Sequence, residues 1–207
     1  MSRKTKILIK IILYFVGQII LALGLVLNTK ADLGVAAITS TAYCTSVIFE
    51  RPIGDTNFII YIIFITIEVL FHLKKKRFME CLLDVGQFGI SFLITRFMNL
   101  FQDIIPVYYL EYPDTFLATI FGRFLVLLIA VIFIAIGAAT TMNLHVLPNP
   151  GDGIVMVIAD EVHKDTGLIK NFLDATMVAT TLAFGLIARR QIIGIGFGTI
   201  FSMICVG

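Results

Sequence analysis

Two stretches of this sequence set polar and acidic residues beside helix breakers within apolar surroundings. The first holds Asn28, Asp32, Gly34, Thr39 and Ser40, and the second holds Asn143, His145, Asn149, Gly151, Asp152 and Gly153. The second includes the run Leu147-Pro148-Asn149-Pro150-Gly151-Asp152-Gly153. Proline and glycine at that density interrupt a helix, so each stretch frees backbone amides at the start of the segment that follows. Free amides at a helix N-terminus carry partial positive charge and attract an anion or a carboxylate. For Asp32 and Asp152 there is a plainer alternative, since aspartate is a favoured N-cap. Asp174 is a further acid in an apolar run, with Lys170 four residues earlier as its ordinary ion-pair partner.

The remaining ionisable residues read more simply. Glu68 and His72 share a helical face near Lys74–Arg77, so Glu68 is expected to snorkel towards that basic turn, and Asp84 to pair with it. Arg96 and Arg123 fall near helix ends, where their head groups reach the lipid surface. Gly194, Gly196 and Gly198 let segments approach closely, either for packing or beside a solute path. Cys44, Cys81 and Cys205 show no ligand spacing, and no Ser/His/Asp set, phosphate-binding loop or carboxylate pair is present. The expectation is no enzyme, no cofactor and no metal.

The elements that must position these residues follow from composition. Of 207 residues, 58% are hydrophobic and only 14% charged, with mean hydropathy +0.98. Soluble domains run at about 45–50% apolar and about 25% charged, so a soluble enzyme and a nucleic-acid binder are both excluded. Stretches 8–28, 57–73, 82–100, 116–140 and 171–188 approach the roughly 20 residues of a membrane span. A sixth, 192–207, is shorter, which implies a short last helix or a trimmed chain. Stretches 35–49 and 153–162 are under length and follow the two breaks, so they are expected to be half-helices. The organisation is a first transmembrane repeat (1–100), an external connector (101–115) with Tyr108, Tyr109 and Tyr112, and a second repeat (116–207).

The halves match at a fixed offset: Gly24 falls on Gly137 (137 − 24 = 113), Gly54 on Gly167 and Arg77 on Arg190. Topology decides the kind of repeat. With three spans per half, one face collects Arg3, Lys4, Lys6, Lys10, Lys74–Arg77, Lys164 and Lys170, leaving Lys30, Arg51, Arg189 and Arg190 opposite. Four spans per half would instead put Lys74–Arg77 outside, against the positive-inside rule. Three spans per half make the repeats inverted, the arrangement of many secondary transporters.

Gly24, the Leu33-Gly34 break, the Pro-Asn-Pro-Gly-Asp-Gly break, Thr166-Gly167 and Gly194-Ile195-Gly196-Phe197-Gly198-Thr199 together resemble the YczE/YyaS/YitT group of bacterial integral membrane proteins. The resemblance covers nearly the whole chain. It implies a polytopic inner-membrane protein with internal duplication, and it supplies no ligand residues.

The expected fold is therefore all-α, a polytopic bundle of two inverted three-span repeats, each with a short re-entrant helix. The expected location is the bacterial inner membrane, with the N-terminus cytoplasmic. The expected function is secondary transport of a small polar or anionic solute. The site expected for that solute comprises Asp32, Gly34, Thr39, Ser40, Asn149, Gly151, Asp152, Gly153 and Asp174. Partners are the bilayer and the solute, without nucleic acid. Two alternatives stay open, a non-transporting accessory protein and a passive channel built as a homo-oligomer.

Overall fold

The computed structural model describes residues 2–144 and 146–206. Met1, His145 and Gly207 lie outside the described residues, and with His145 goes one polar group expected at the second break. Among the described residues the protein is all-helical. In chain order the helices are α1 (Arg3–Lys30), α2 (Ala37–Phe49), α3 (Ile53–Lys74), α4 (Phe78–Ile104), the short α5 (Tyr108–Glu111), α6 (Ile120–Leu144), α7 (Pro150–Val162), α8 (Thr166–Arg189) and α9 (Phe197–Val206).

Five of these, α1, α3, α4, α6 and α8, are long and apolar enough to cross a membrane. The two under-length stretches form α2 and α7, each of 13 residues. At 1.5 Å per residue such a helix is about 20 Å long, well short of a core of about 30 Å. The sixth apolar stretch becomes the 10-residue α9, which begins only at Phe197. The chain before it is held out of helix: Gly194 has a φ of 74°, and its carbonyl accepts a 2.8 Å bond from the Val35 amide.

Local chemistry sets the boundaries. Pro150 is the first residue of α7, where its missing N–H removes no helical bond. Asp165 caps α8 by accepting from the Gly167 and Leu168 amides at 2.9 and 3.3 Å. Glu50 and His163 end α2 and α7 in the left-handed conformation, with φ 54° and 53°.

The centre is the crossing of α1 and α6, which run antiparallel, with Gly17 beside Thr140 and Gly24 beside Ile134. Glycine is required there. A Cβ on Gly24 would stand 2.7 Å from the Ile134 amide nitrogen, and one on Gly137 would stand 2.7 Å from that of Leu21. Around this crossing α2 packs on α8, while α3 packs on both α4 and α7. Leu21, Leu25, Phe64, Ile94, Ile134 and Ile154 fill the core between them. The outward faces carry Ile12, Leu70, Phe121, Ile187 and many similar exposed residues, the surface expected of a helix bundle facing lipid.

Candidate functional site

The two breaks have their backbone groups satisfied by different side chains. At the first, Asn28 Oδ1 accepts from the Ala36 amide at 2.5 Å and its Nδ2 donates to Ser202 at 3.4 Å. Arg123 donates to the carbonyls of Ala31 and Asp32 and pairs with the Asp32 carboxylate at 2.8 Å, its guanidinium lying over the Tyr109 ring. The glycine run closes the remaining side, for the Gly198 amide donates to the Leu33 carbonyl at 2.6 Å. A Cβ on Gly34, whose φ is 106°, would stand 2.6 Å from the Gly196 nitrogen. At the second break Tyr14 donates to the Leu147 carbonyl at 2.9 Å and receives a bond from Gln18.

The second break opens onto a cavity of about 290 Å³. Asn149, Gly151 and Asp152 line it from the start of α7, Lys170 and Asp174 from α8, and Tyr61 from α3. The apolar part of its wall comes from α1, α2 and α6, including Leu25, Ile38 and Met142. Asn149 is 7% exposed, yet its Oδ1 has no hydrogen-bond partner among the described residues. Asp174 is 3% exposed and accepts a 3.5 Å contact from Lys170. Neither Asp152 nor Asp32 is an N-cap: Asn149 and Ala36 occupy those positions.

Of the residues singled out from sequence, Asn149, Gly151, Asp152 and Asp174 therefore share one cavity. Gly153 faces a second one. Asp32 is half exposed beside Arg123, just past the C-terminus of α1, and does not line this cavity. Gly34 packs on Gly196. Thr39 donates to the Ala36 carbonyl, and Ser40 lies 2.8 Å from the Thr181 hydroxyl in the α2–α8 contact. The breaks do touch through their helices, because a Cβ on Gly151 would stand 3.3 Å from Ile38 Cγ1 at the N-terminal turn of α2.

The second cavity, about 250 Å³, lies on the opposite side of α7. Its innermost group is Glu68, which does not snorkel. At 1% exposure its Oε2 accepts from Gln87 Nε2 at 2.7 Å, while Glu68 Oε1 and Gln87 Oε1 are buried without partners. Asp84 pairs with His72 Nδ1 at 2.6 Å rather than with the basic turn. The turn itself binds α7, with Lys75 reaching Glu161 at 2.8 Å and Arg77 reaching Asp160 at 3.1 Å. Arg96 pairs with Asp55 across the α3–α4 contact. The signal available for Glu68 was its carboxylate within an apolar run, but snorkelling accounted for it equally well until its neighbours were known. Tyr61 and Gln87 carried no signal in the sequence.

The chain matches, over residues 8–207, the family described as a family of unknown function, DUF6198. It is 24% identical over 206 residues to a protein of Bacillus subtilis (strain 168) named uncharacterized membrane protein YczE, covering 99% of this chain and 85% of that one. The similarity to YczE agrees with the resemblance read from the glycine motifs. No solved structure matches. The apolar helices and this relative together mark an integral, multi-pass membrane protein.

Proposed function

We propose, taking as premise that this chain belongs to the DUF6198 family, that it is a secondary transporter or permease for a small polar solute in the bacterial cytoplasmic membrane. The observation that carries this reading is the cavity at the start of α7, whose mainly apolar wall carries Asn149, Asp152, Lys170 and Asp174 at the N-terminus of a short helix. Polar groups at membrane depth are costly and mark solute or ion paths. The volume of about 290 Å³ lies at the lower edge of the roughly 300–1,000 Å³ of ligand pockets, which suits a metabolite rather than a lipid or a peptide.

The lining narrows the solute class. Two carboxylates, Asp152 and Asp174, face one ammonium, Lys170. A bare anion would meet net negative charge, so the arrangement favours a solute that presents an amino or cationic group, with the Asn149 amide and α7 amides for its polar end. Asn149 Oδ1, buried and unpartnered, is the acceptor such a donor lacks.

The same reading takes the halves as inverted repeats. Supporting it, equivalent positions exchange partners across the antiparallel α1–α6 crossing: Gly24 meets Ile134 as Gly137 meets Leu21, and Ile38 meets its own equivalent, Gly151. The α2–α8 contact likewise has its counterpart in α7–α3. We place the N-terminus and Lys74–Arg77 in the cytoplasm and 101–115 outside, α2 and α7 being re-entrant half-helices. On this reading the protein carries solute and catalyses no reaction.

Purified protein in liposomes, presented with a panel of radiolabelled amino acids, amines and organic acids, tests the reading. Saturable uptake of an amino-group-bearing solute is expected. Uptake that rises linearly with concentration would mark a channel, and the absence of any flux an accessory protein.

A further inference from the structure

Glu68 has no role in the solute cavity, and its setting is unusual for an ion. It lies within α3, is 1% exposed, and among the described residues no cation contacts it. Its one donor among the described residues is the neutral Gln87 amide at 2.7 Å. Its carboxylate rests on the first turn of α7, where a Cβ on Gly153 would stand 2.6 Å from Oε2 and 2.9 Å from Oε1. An uncompensated carboxylate in such a place either takes a proton or a metal cation. Metal is disfavoured by the donor count. Hard cations such as Mg²⁺ and Ca²⁺ take about six oxygens or more, whereas the unpartnered oxygens of this pair are Glu68 Oε1 and Gln87 Oε1. Among the described residues, no three His, Cys, Asp or Glu side chains are grouped to hold a metal.

The cavity of about 250 Å³ runs from Glu68 past His72 and Asp84 to Glu80, Arg77 and Asp160 at the end of α3. His72 spans the gap, 2.6 Å from Asp84 and 3.0 Å from Glu80, and Glu80 is half exposed. The charged and titratable groups facing Glu68 are thus His72 from α3 itself, Glu80 and Asp84 from α4, Arg77 from the turn and Asp160 from α7. Imidazole between two carboxylates is suited to relaying protons between water and a buried acid.

We propose that Glu68 is a proton-binding site, loaded through His72 and Asp84, and that it couples proton movement to the solute site through α7. In the step itself a proton from bulk water adds to the Glu68 carboxylate to give the neutral acid, and leaves by the same oxygens; no other bond changes. The coupling rests on the transport reading above. It has a physical link, since Gly153 touches Glu68 while Asn149, Gly151 and Asp152, on the same turn of α7, face the solute cavity. An ionised Glu68 against that turn interacts with the helix dipole and a neutral one far less, so loading shifts the preferred position of α7.

Two measurements test this. The first labels the wild-type protein in native membranes with dicyclohexylcarbodiimide, which adds to protonated carboxyl groups in apolar surroundings, and maps adducts by mass spectrometry. Labelling of Glu68 is expected, declining as pH rises, with the exposed Glu50 and the half-exposed Glu80 unlabelled. Adducts elsewhere but none on Glu68, or labelling of Glu68 that ignores pH, would overturn the proton site. The second measures uptake of the solute panel into liposomes with and without a pH gradient. Stimulation by the gradient is expected in wild type and its loss in Glu68→Gln, whose fold is checked by size-exclusion profile. Saturable wild-type uptake indifferent to the gradient would overturn the coupling. Absence of all wild-type uptake with pH-dependent Glu68 labelling would overturn the transport reading while leaving the proton site in place.

Discussion

Replacing Gly24 or Gly137 by alanine tests the α1–α6 crossing, whose Leu21, Leu25, Ile134 and Met142 wall the cavity at the start of α7. The new methyl group at Gly24 would stand 2.7 Å from the Ile134 nitrogen and 3.0 Å from the Ala130 carbonyl oxygen. At Gly137 it would stand 2.7 Å from both the nitrogen and Cβ of Leu21. These neighbours are backbone or bound directly to it, so no rotamer change relieves the clash and the helices must separate. Overpacking of this kind costs about 1–3 kcal/mol, and alanine returns up to about 1 kcal/mol through helix propensity. A net loss of about 0–2 kcal/mol per site follows. Gly89, exposed on α4 with nothing within 4 Å of a Cβ, provides the control, for which alanine brings only the gain of about 1 kcal/mol. The propensity gain is common to both, so the gap is the overpacking cost of about 1–3 kcal/mol, roughly 2–12 °C at the usual 2–4 °C per kcal/mol for chains of this size. Thermal melting in detergent, read by fluorescence-detected size exclusion, measures it. The two crossing variants should fall by similar amounts, because their surroundings are equivalent. Gly24→Ala and Gly137→Ala melting with Gly89→Ala, at or above wild type, would refute the close crossing.

Asp152→Asn keeps the shape of the cavity wall and removes one charge; saturable uptake should be lost with melting temperature within a few degrees of wild type, and equal uptake would remove Asp152 from the site. Single cysteines at positions 75 and 109, in a chain lacking Cys44, Cys81 and Cys205, should react with an impermeant thiol reagent from inside and outside respectively. The opposite pattern overturns the orientation. Lys75, hydrogen-bonded to Glu161 and Asp160, holds both carboxyls below their usual range. A lowered carboxyl contributes stability above its unfolded value near 4 and loses it as pH falls through the lowered one. Lys75→Met should therefore lower the melting temperature at pH 7, by less in high salt, and should converge with wild type at a pH low enough to protonate both carboxyls. A difference that persists at that pH would mean that Lys75 acts through packing.

Much of this protein is legible without coordinates, because lipid imposes a length rule and a polarity rule that act on each segment separately. The five long helices, the shortness of α2 and α7 and both breaks follow from runs of apolar residues punctuated by Pro148, Pro150, Gly34 and Gly151. The offset of 113 also lies in the sequence, and Glu50 and His163, that far apart, do end α2 and α7 in the same left-handed conformation. What the sequence leaves undecided is which polar residues meet. Asp32 and Asp152 look alike beside their breaks, yet one pairs with Arg123 from α6 and the other lines a cavity with Lys170 and Asp174 from α8. Glu68 and Asp84 both lie near a basic turn in sequence, but that turn is drawn off to Asp160 and Glu161 on α7. Each of these outcomes depends on partners tens of residues away, on helices whose apolar faces fit several neighbours equally well. Periodicity states which face is buried; only the packing of α7 between α3 and α8 decides that one of its sides meets the buried carboxylate of Glu68 and the other a cavity lined by Lys170 and Asp174.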